Sequence, residues 1–350
     1  MTAERARGGR NSHALHAGER IWPESNCYVD LWIGLLHHLA LDPVAMLACA
    51  VAPYFEGDQW TFCKPTSSEL GLLYGIRVEE LSIWRGLRAH IERQVGQGRV
   101  VLVEVDGYFL PDTRGVTYGV DHRKTTIGIH GIDVSTGLLS YFHNAGSYSV
   151  NGADVDGLLA TTVSASALPP FAELADHSRC VAIDGAELRA RSLRVAAGRV
   201  ALASPENPFL AWAEAADAEL DSLSAGDLSN FHAWAFATVR QAGSMTELLA
   251  AWCDWLGDEP ELRVASIELR ELAQTLAAQQ FRLARLPGGG RRPAFADALR
   301  RCAAFWESAQ RTIARAVDHE LGERVEIPSA VDVVVGPRAP EMRLAAELAR

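Results

Sequence analysis

Cys27 stands where a polar turn gives way to an apolar run, in "WPESNCYVDLWIGLLHHLALDP" (residues 22–43). A thiol at a helix start has a chemical advantage. The helix dipole and the free N–H groups favour the thiolate, and the same N–H groups can hold the oxyanion of a tetrahedral intermediate. Such a nucleophile needs a base within hydrogen-bond reach and a third group to orient that base. His122 enters a β-rich stretch and Asn144 leaves the strand that follows, so together they would complete the set; His143 is the alternative base. Each residue also has a plainer reading. Cys27 precedes Leu31 and Leu35 by four and eight residues, which suits a packing thiol. His122 between Asp121 and Arg123 suits a surface histidine, and Asn144 before Ala145-Gly146 suits a turn.

Around this trio, Asn26 or Gln59 could donate to the oxyanion. Glu56 and Asp58 read as a loop lining a pocket, and Trp60, Trp84 and Arg85 as contacts for substrate. Glu56, Asp58 and Asp106 could hold a hard cation through oxygen, but the loop reading is preferred and no metal is expected. His37 and His38 are adjacent and share no helix face.

The elements that must position these groups are legible by period. Tyr28, Leu31, Trp32, Leu35, Leu36 and Leu39 fall at helical spacing, and Asp42-Pro43 ends the helix. Short helices are expected at 44–52, at 67–76 with Ser67 or Ser68 as cap, and at 81–95. The period then changes to two. Residues 99–110 and 124–133 read as strands, and 138–144 pairs with the second as a hairpin across "VSTG". The stretch "RCVAIDGAELRARSL" could add another strand. From Pro208 to about 320 the chain reads as a helical bundle. Helices first and an antiparallel sheet later give an α+β class rather than alternating βα units. The expected divisions are an N-terminal arm at 1–20, an α+β domain at 21–205, a helical bundle at 206–322 and a tail at 323–350.

The 350 residues carry a formal charge of −11, which disfavours a dedicated nucleic-acid binder. No stretch is apolar over the ~18 residues a membrane span needs, and residues 1–20 lack the apolar core of a secretory signal. The reading is a cytoplasmic protein. Its six cysteines form no CxxC pair, which argues against a disulfide framework or structural zinc.

The strings "NCYVDLWIGLLHHLALDP", "FEGDQWTF", "VVLVEVDGYFLPDT", "HRKTTIGIHGID" and "YFHNAG", with "VRQAGSMTELLAAWCDWL" and "QQFRLAR" in the helical part, resemble a bacterial family of unknown function. That family is associated with amino acid:carrier-protein ligases. It is similar, more distantly, to papain-like acyltransferases of the butirosin biosynthesis protein H type. The resemblance implies a papain-like domain with Cys27 as nucleophile, His122 as base and Asn144 as orienting group. In related cysteine peptidases the histidine begins the strand itself, near Thr125 or Thr126, and a glutamine stands where this chain has Ile21.

The resemblance also implies a function. An acyl or aminoacyl group would pass from the 4'-phosphopantetheine arm of a carrier protein to Cys27, then to a small-molecule amine, with no cofactor bound by the protein itself. The basic stretch "RLARLPGGGRR" (282–292) could receive an acidic carrier protein. The alternatives are a cysteine peptidase, amidase or thioesterase on the same residues, a non-catalytic partner of carrier proteins, and a small-molecule binder near "EGDQW".

Overall fold

The structure, a computed structural model, describes residues 12–17, 20–159, 170–180 and 183–322. A single turn, α1 (Ala14–Ala17), precedes α2 (Cys27–His38), which begins where Asn26 caps it by accepting the Val29 amide. Tyr28, Val29, Leu31, Trp32, Ile33, Leu35 and Leu36 are all buried. A helix apolar on every side must be covered on every side. A sheet covers one face of α2. A 3-10 helix at Pro43–Ala50 and the helical half of the chain complete the same core.

Three short helices follow: α3 (Ser67–Tyr74), α4 (Leu87–Val95) and α5 (Ala153–Leu159). The sheet has six strands: β1 (Arg77–Glu80), β2 (Val100–Asp106), β3 (Lys124–Asp133), β4 (Leu138–His143), β5 (Gly146–Val150) and β6 (Ala172–Asp176). Their order is β1-β6-β2-β3-β4-β5, with every pair antiparallel. Alternation sorts the side chains onto two faces. Val100, Leu102, Phe142 and Ala175 join the core of α2. Val101, Val103, Val105, Ile127, Ile129, Leu139, Tyr141 and Leu174 form a second core beneath α4 and α5.

Gly128 sets the approach of α2 to the sheet: a Cβ there would lie 3.2 Å from Leu31 Cδ1. His38 meets Phe142 and His130 with ring centroids 5.6 and 5.8 Å away. The helix therefore runs along β3 in the direction of the strand, and its start, Cys27, lies toward Lys124.

The helical half comprises α6 (Gly185–Ala201), α7 (Pro208–Ala225), α8 (Leu228–Ala235), α9 (Gln241–Leu256), α10 (Pro260–Leu283) and α11 (Phe295–Leu321). A π-helical turn at Phe236–Arg240 links α8 to α9. The segment before α2 is fastened to this half. Trp22 Nε1 donates to the Ala273 carbonyl at 3.1 Å, and a Cβ on Gly243 would sit 2.1 Å from Trp22 Cε2. Arg20 reaches Asp30 of α2 at 2.8 Å and Glu247 of α9 at 3.4 Å.

Several local expectations are corrected. The helix expected from Leu81 starts at Leu87, and β1 precedes it; Val78 is the only buried residue of β1, too sparse an apolar signal to announce a strand. The strand expected near "RCVAIDGAELRARSL" is instead α6, which Asp184 caps through the amides of Ala186 and Glu187. The added strand, β6, lies earlier. Thr66, rather than Ser67 or Ser68, caps α3, in a reciprocal capping box with Glu69. α6 falls before the boundary expected at 205 and packs on α11 and the 3-10 helix 43–50. Within the expected arm, residues 12–17 and 20 are placed, and the remainder lies outside the described residues, as does the tail after 322.

Candidate active site

Cys27 is the first residue of α2 and is half-buried. Asn26 is spent on structure: Oδ1 accepts the Val29 amide at 3.0 Å, and Nδ2 donates to the Cys63 carbonyl at 2.6 Å. One of its two Nδ2 hydrogens is thereby engaged. The backbone supplies donors for an oxyanion. The Asp30 amide bonds to Asn26 O, whereas the amides of Cys27 and Tyr28 have no acceptor among the described residues. They form a donor pair beside the sulfur. Tyr28 extends across the sheet to Glu173 at 2.9 Å, and Lys64 lies 5.4 Å above its ring.

His143 is the last residue of β4, whereas His122 lies in the loop just before β3. Asp106 follows Val100, Leu102 and Glu104 at period two, on the face of α2, and is paired in register with Lys124. Its carboxylate holds His122 Nδ1 at 2.5 Å, and the imidazole stacks on Tyr108 at 4.4 Å. Nδ1 is thereby engaged, and Nε2 has no partner among the described residues. This is the arrangement in which a carboxylate fixes the tautomer and leaves the other nitrogen to move a proton. The residue in contact with the His122 ring is Asp106, and Asn144 makes no hydrogen bond to it among the described residues. Asn144 occupies the β4–β5 turn with φ of 46°. The cysteine sulfur itself has no hydrogen-bond partner among the described residues, so neither imidazole is bonded to it.

His143 continues the series of Leu139 and Tyr141, on the face away from α2. Its Nδ1 meets Asp112 Oδ2 at 2.6 Å and its Nε2 meets Thr125 Oγ1 at 2.9 Å, while Tyr141 donates to Asp112 Oδ1 at 2.6 Å. Both ring nitrogens are occupied. The sheet separates this hydroxyl–imidazole–carboxylate chain from Cys27.

The expected pocket residues scatter. Glu56, Asp58 and Gln59 form an exposed turn closed by the Glu56 amide on Gln59 O at 2.8 Å. Trp84 is 75% exposed beneath the Arg85 guanidinium, 4.4 Å from the ring. Leu81, Ile83 and Leu87 around that pair belong to the second core, on the face opposite Cys27. Trp60 is buried in an aromatic cluster, with ring centroids 4.8 Å from Phe209 and 5.6 Å from Trp212. No group of three or more His, Cys, Asp or Glu among the described residues is placed to hold a metal ion. In the basic stretch, Arg292 is engaged by Asp217 and Asp221.

The aromatic cluster encloses Glu219, which accepts from Trp212 Nε1 at 2.9 Å. Burial pushes its carboxyl up to about 7, against the indole bond and with help from Asp58. A carboxyl raised in the fold holds its proton longer than in the unfolded chain. Its contribution to stability is greatest below its ordinary pKa, falls as pH rises to about 7 and is level beyond. Glu219→Gln should therefore gain about 2–3 kcal/mol over the wild type at pH 8 and little at pH 4.5. Urea midpoints of the two proteins across that range measure the difference.

A fold with one antiparallel sheet on an apolar helix and a largely helical C-terminal part defines a mixed α/β protein. The chain belongs to the DUF1839 family: residues 11–177 match the DUF1839 N-terminal domain and residues 185–315 the DUF1839 C-terminal domain. The function of this family is unknown. No curated protein matches the chain. Among the described residues, no helix is long and apolar enough to cross a membrane.

Proposed function

We propose that the protein is a thiol-dependent acyltransferase with Cys27 as nucleophile. The observation that carries the reading is Cys27, half-buried beside two unengaged amides at the start of α2, together with an imidazole–carboxylate pair, His122–Asp106, at the end of β2. A helix bearing the thiol, laid on an antiparallel sheet whose flanking loop bears the imidazole, resembles the plan of a papain-like enzyme. The donor would be the phosphopantetheine thioester of an acyl or aminoacyl carrier protein, docking on the arginines of 282–291.

The thiolate of Cys27 attacks the thioester carbonyl, and the Cys27 and Tyr28 amides take the oxyanion. The phosphopantetheine sulfur leaves and receives the proton His122 took from Cys27. The amine acceptor then attacks the acyl-cysteine, His122 removes the amine proton, and Cys27 is released as the amide forms. The exposed His122 loop must move onto the sulfur for this to occur, since no hydrogen bond joins them beforehand. Water in place of the amine would give a thioesterase or amidase.

Intact-mass spectrometry after mixing with an aminoacyl-loaded carrier protein tests the proposal. The expected result is a mass gain mapped to Cys27 and absent from Cys27→Ala. No adduct, together with a Cys27 inert to iodoacetamide in the folded protein, would end the catalytic reading and leave a carrier-protein-binding role. A second reading has its own observation, the Thr125–His143–Asp112 chain. Its hydroxyl is half-buried while the imidazole and carboxylate behind it are only 2% and 4% exposed. An acyl adduct on Thr125 that survives Cys27→Ala would favour that hydroxyl instead.

A further inference from the structure

Cys49 and Cys63 are free, and their sulfurs stand 3.6 Å apart. Cys49 is buried in the 3-10 helix 43–50, and Cys63 is half-buried in the segment before α3. A disulfide needs its sulfurs at about 2 Å, so a small closure suffices. The Arg199 guanidinium interacts with both thiols while paired with Glu69 at 2.5 Å. A cation beside a thiol favours the thiolate. The hydrogen bond to Cys63 and burial nevertheless push the Cys49 thiol well above its ordinary range, so Cys49 is the thiol that stays protonated in the resting pair.

An opening lies on the far side of the Glu69–Arg199 pair. A cavity of about 490 Å³ is lined by Glu69 and Arg199 and by Tyr54, Thr66, Ser68 and Arg194. Arg194 is exposed and has no partner among the described residues, so it adds positive charge at the rim. Elsewhere the paired partners are too remote: among the described residues, no other two cysteine sulfurs are in contact.

We propose that Cys49 and Cys63 form an oxidisable dithiol site that reacts with small anionic disulfides of the glutathione type, with Arg199 as the neighbouring cation. The more accessible Cys63 attacks first. Its thiolate displaces one glutathione thiolate from oxidised glutathione, leaving Cys63 as a mixed disulfide. Cys49 then gives up its proton and attacks the Cys63 sulfur, expelling the second glutathione thiolate. Two protein thiols are oxidised, one disulfide is reduced, and the two thiol protons end on the two glutathiones. The site does not depend on the acyltransferase reading, although it abuts that site through the Cys63 carbonyl, which holds the Asn26 cap of α2.

The test uses the full chain, reduced and folded, exposed to a glutathione redox buffer and then alkylated and mapped without reduction. The expected product is a Cys49–Cys63 cross-linked peptide, lighter by two hydrogens. In Cys49→Ser the reaction should stop with glutathione on Cys63; in Cys63→Ser, Cys49 should remain unmodified. Circular dichroism of each variant establishes that it is folded. The proposal is overturned if the folded wild type yields no cross-link, or if Cys49–Cys63 forms only in denaturant. It is equally overturned if glutathione attaches to Cys27 or Cys180 while Cys63 stays reduced.

Discussion

Arg20→Ala is expected to lower folding stability by about 3–5 kcal/mol, the usual consequence of stripping a buried charge of its partner. The Asp30 carboxylate is 1% exposed and depends on Arg20 Nη1 at 2.8 Å. His16 Nε2 lies 3.6 Å from the same carboxylate oxygen. The same guanidinium reaches the Trp22 carbonyl at 3.1 Å and Ser244 Oγ at 3.3 Å. Glu247 meanwhile accepts the amides of Ile21 at 2.6 Å and Trp22 at 3.1 Å. One residue thus joins the entering chain, α2 and α9. The double variant Arg20→Ala/Asp30→Ala should recover part of the loss, because it no longer strands an anion in the core. Chemical denaturation of the four proteins of this cycle gives the coupling; additive losses would show that the charges act independently.

His122→Ala should reduce acyl transfer about 10²–10⁴-fold, the range for losing a positioned base. Its stability should be nearly unchanged, since His122 is 69% exposed. Asp106→Asn should also slow the reaction, through the imidazole it holds at 2.5 Å rather than by touching substrate. Two readouts separate these effects from misfolding. The alkylation rate of Cys27 near neutral pH should fall in His122→Ala, while its urea midpoint should not. His143→Gln should not reproduce this pattern, because its ring lies on the face away from α2 with both nitrogens engaged. Equal loss from both histidine variants would count against the assignment.

The contrast between these histidines marks the limit of sequence reasoning. β3 and β4 follow from their β-branched and aromatic alternation, and Gly-containing "VSTG" turns between them. α2 follows from its apolar spacing, and the helical half from Ala- and Leu-rich runs after Pro208. The edge strands do not stand out. β1 offers one buried residue, and β5, "GSYSV", is short and largely polar. The candidate site was legible only by residue. Cys27 at a helix start could be read directly, because the cap and the helix are local. The partner of His122 is set by the long-range pairing of β2 with β3. Asp106 opposes Lys124, two residues after His122, so a register drawn between those strands would have found it. Period two turns His143, the alternative base, away from α2, and Asn144 sits in the β4–β5 turn with φ of 46°.

The core of α2 has a consequence for how the molecule comes apart. Trp22, Leu31, Trp32, Phe209, Trp252 and Leu269 belong to one continuous apolar cluster that crosses from the first family domain into the second. Neither domain can shed the other without wetting that cluster. Melting should therefore cross the boundary between them in one cooperative step.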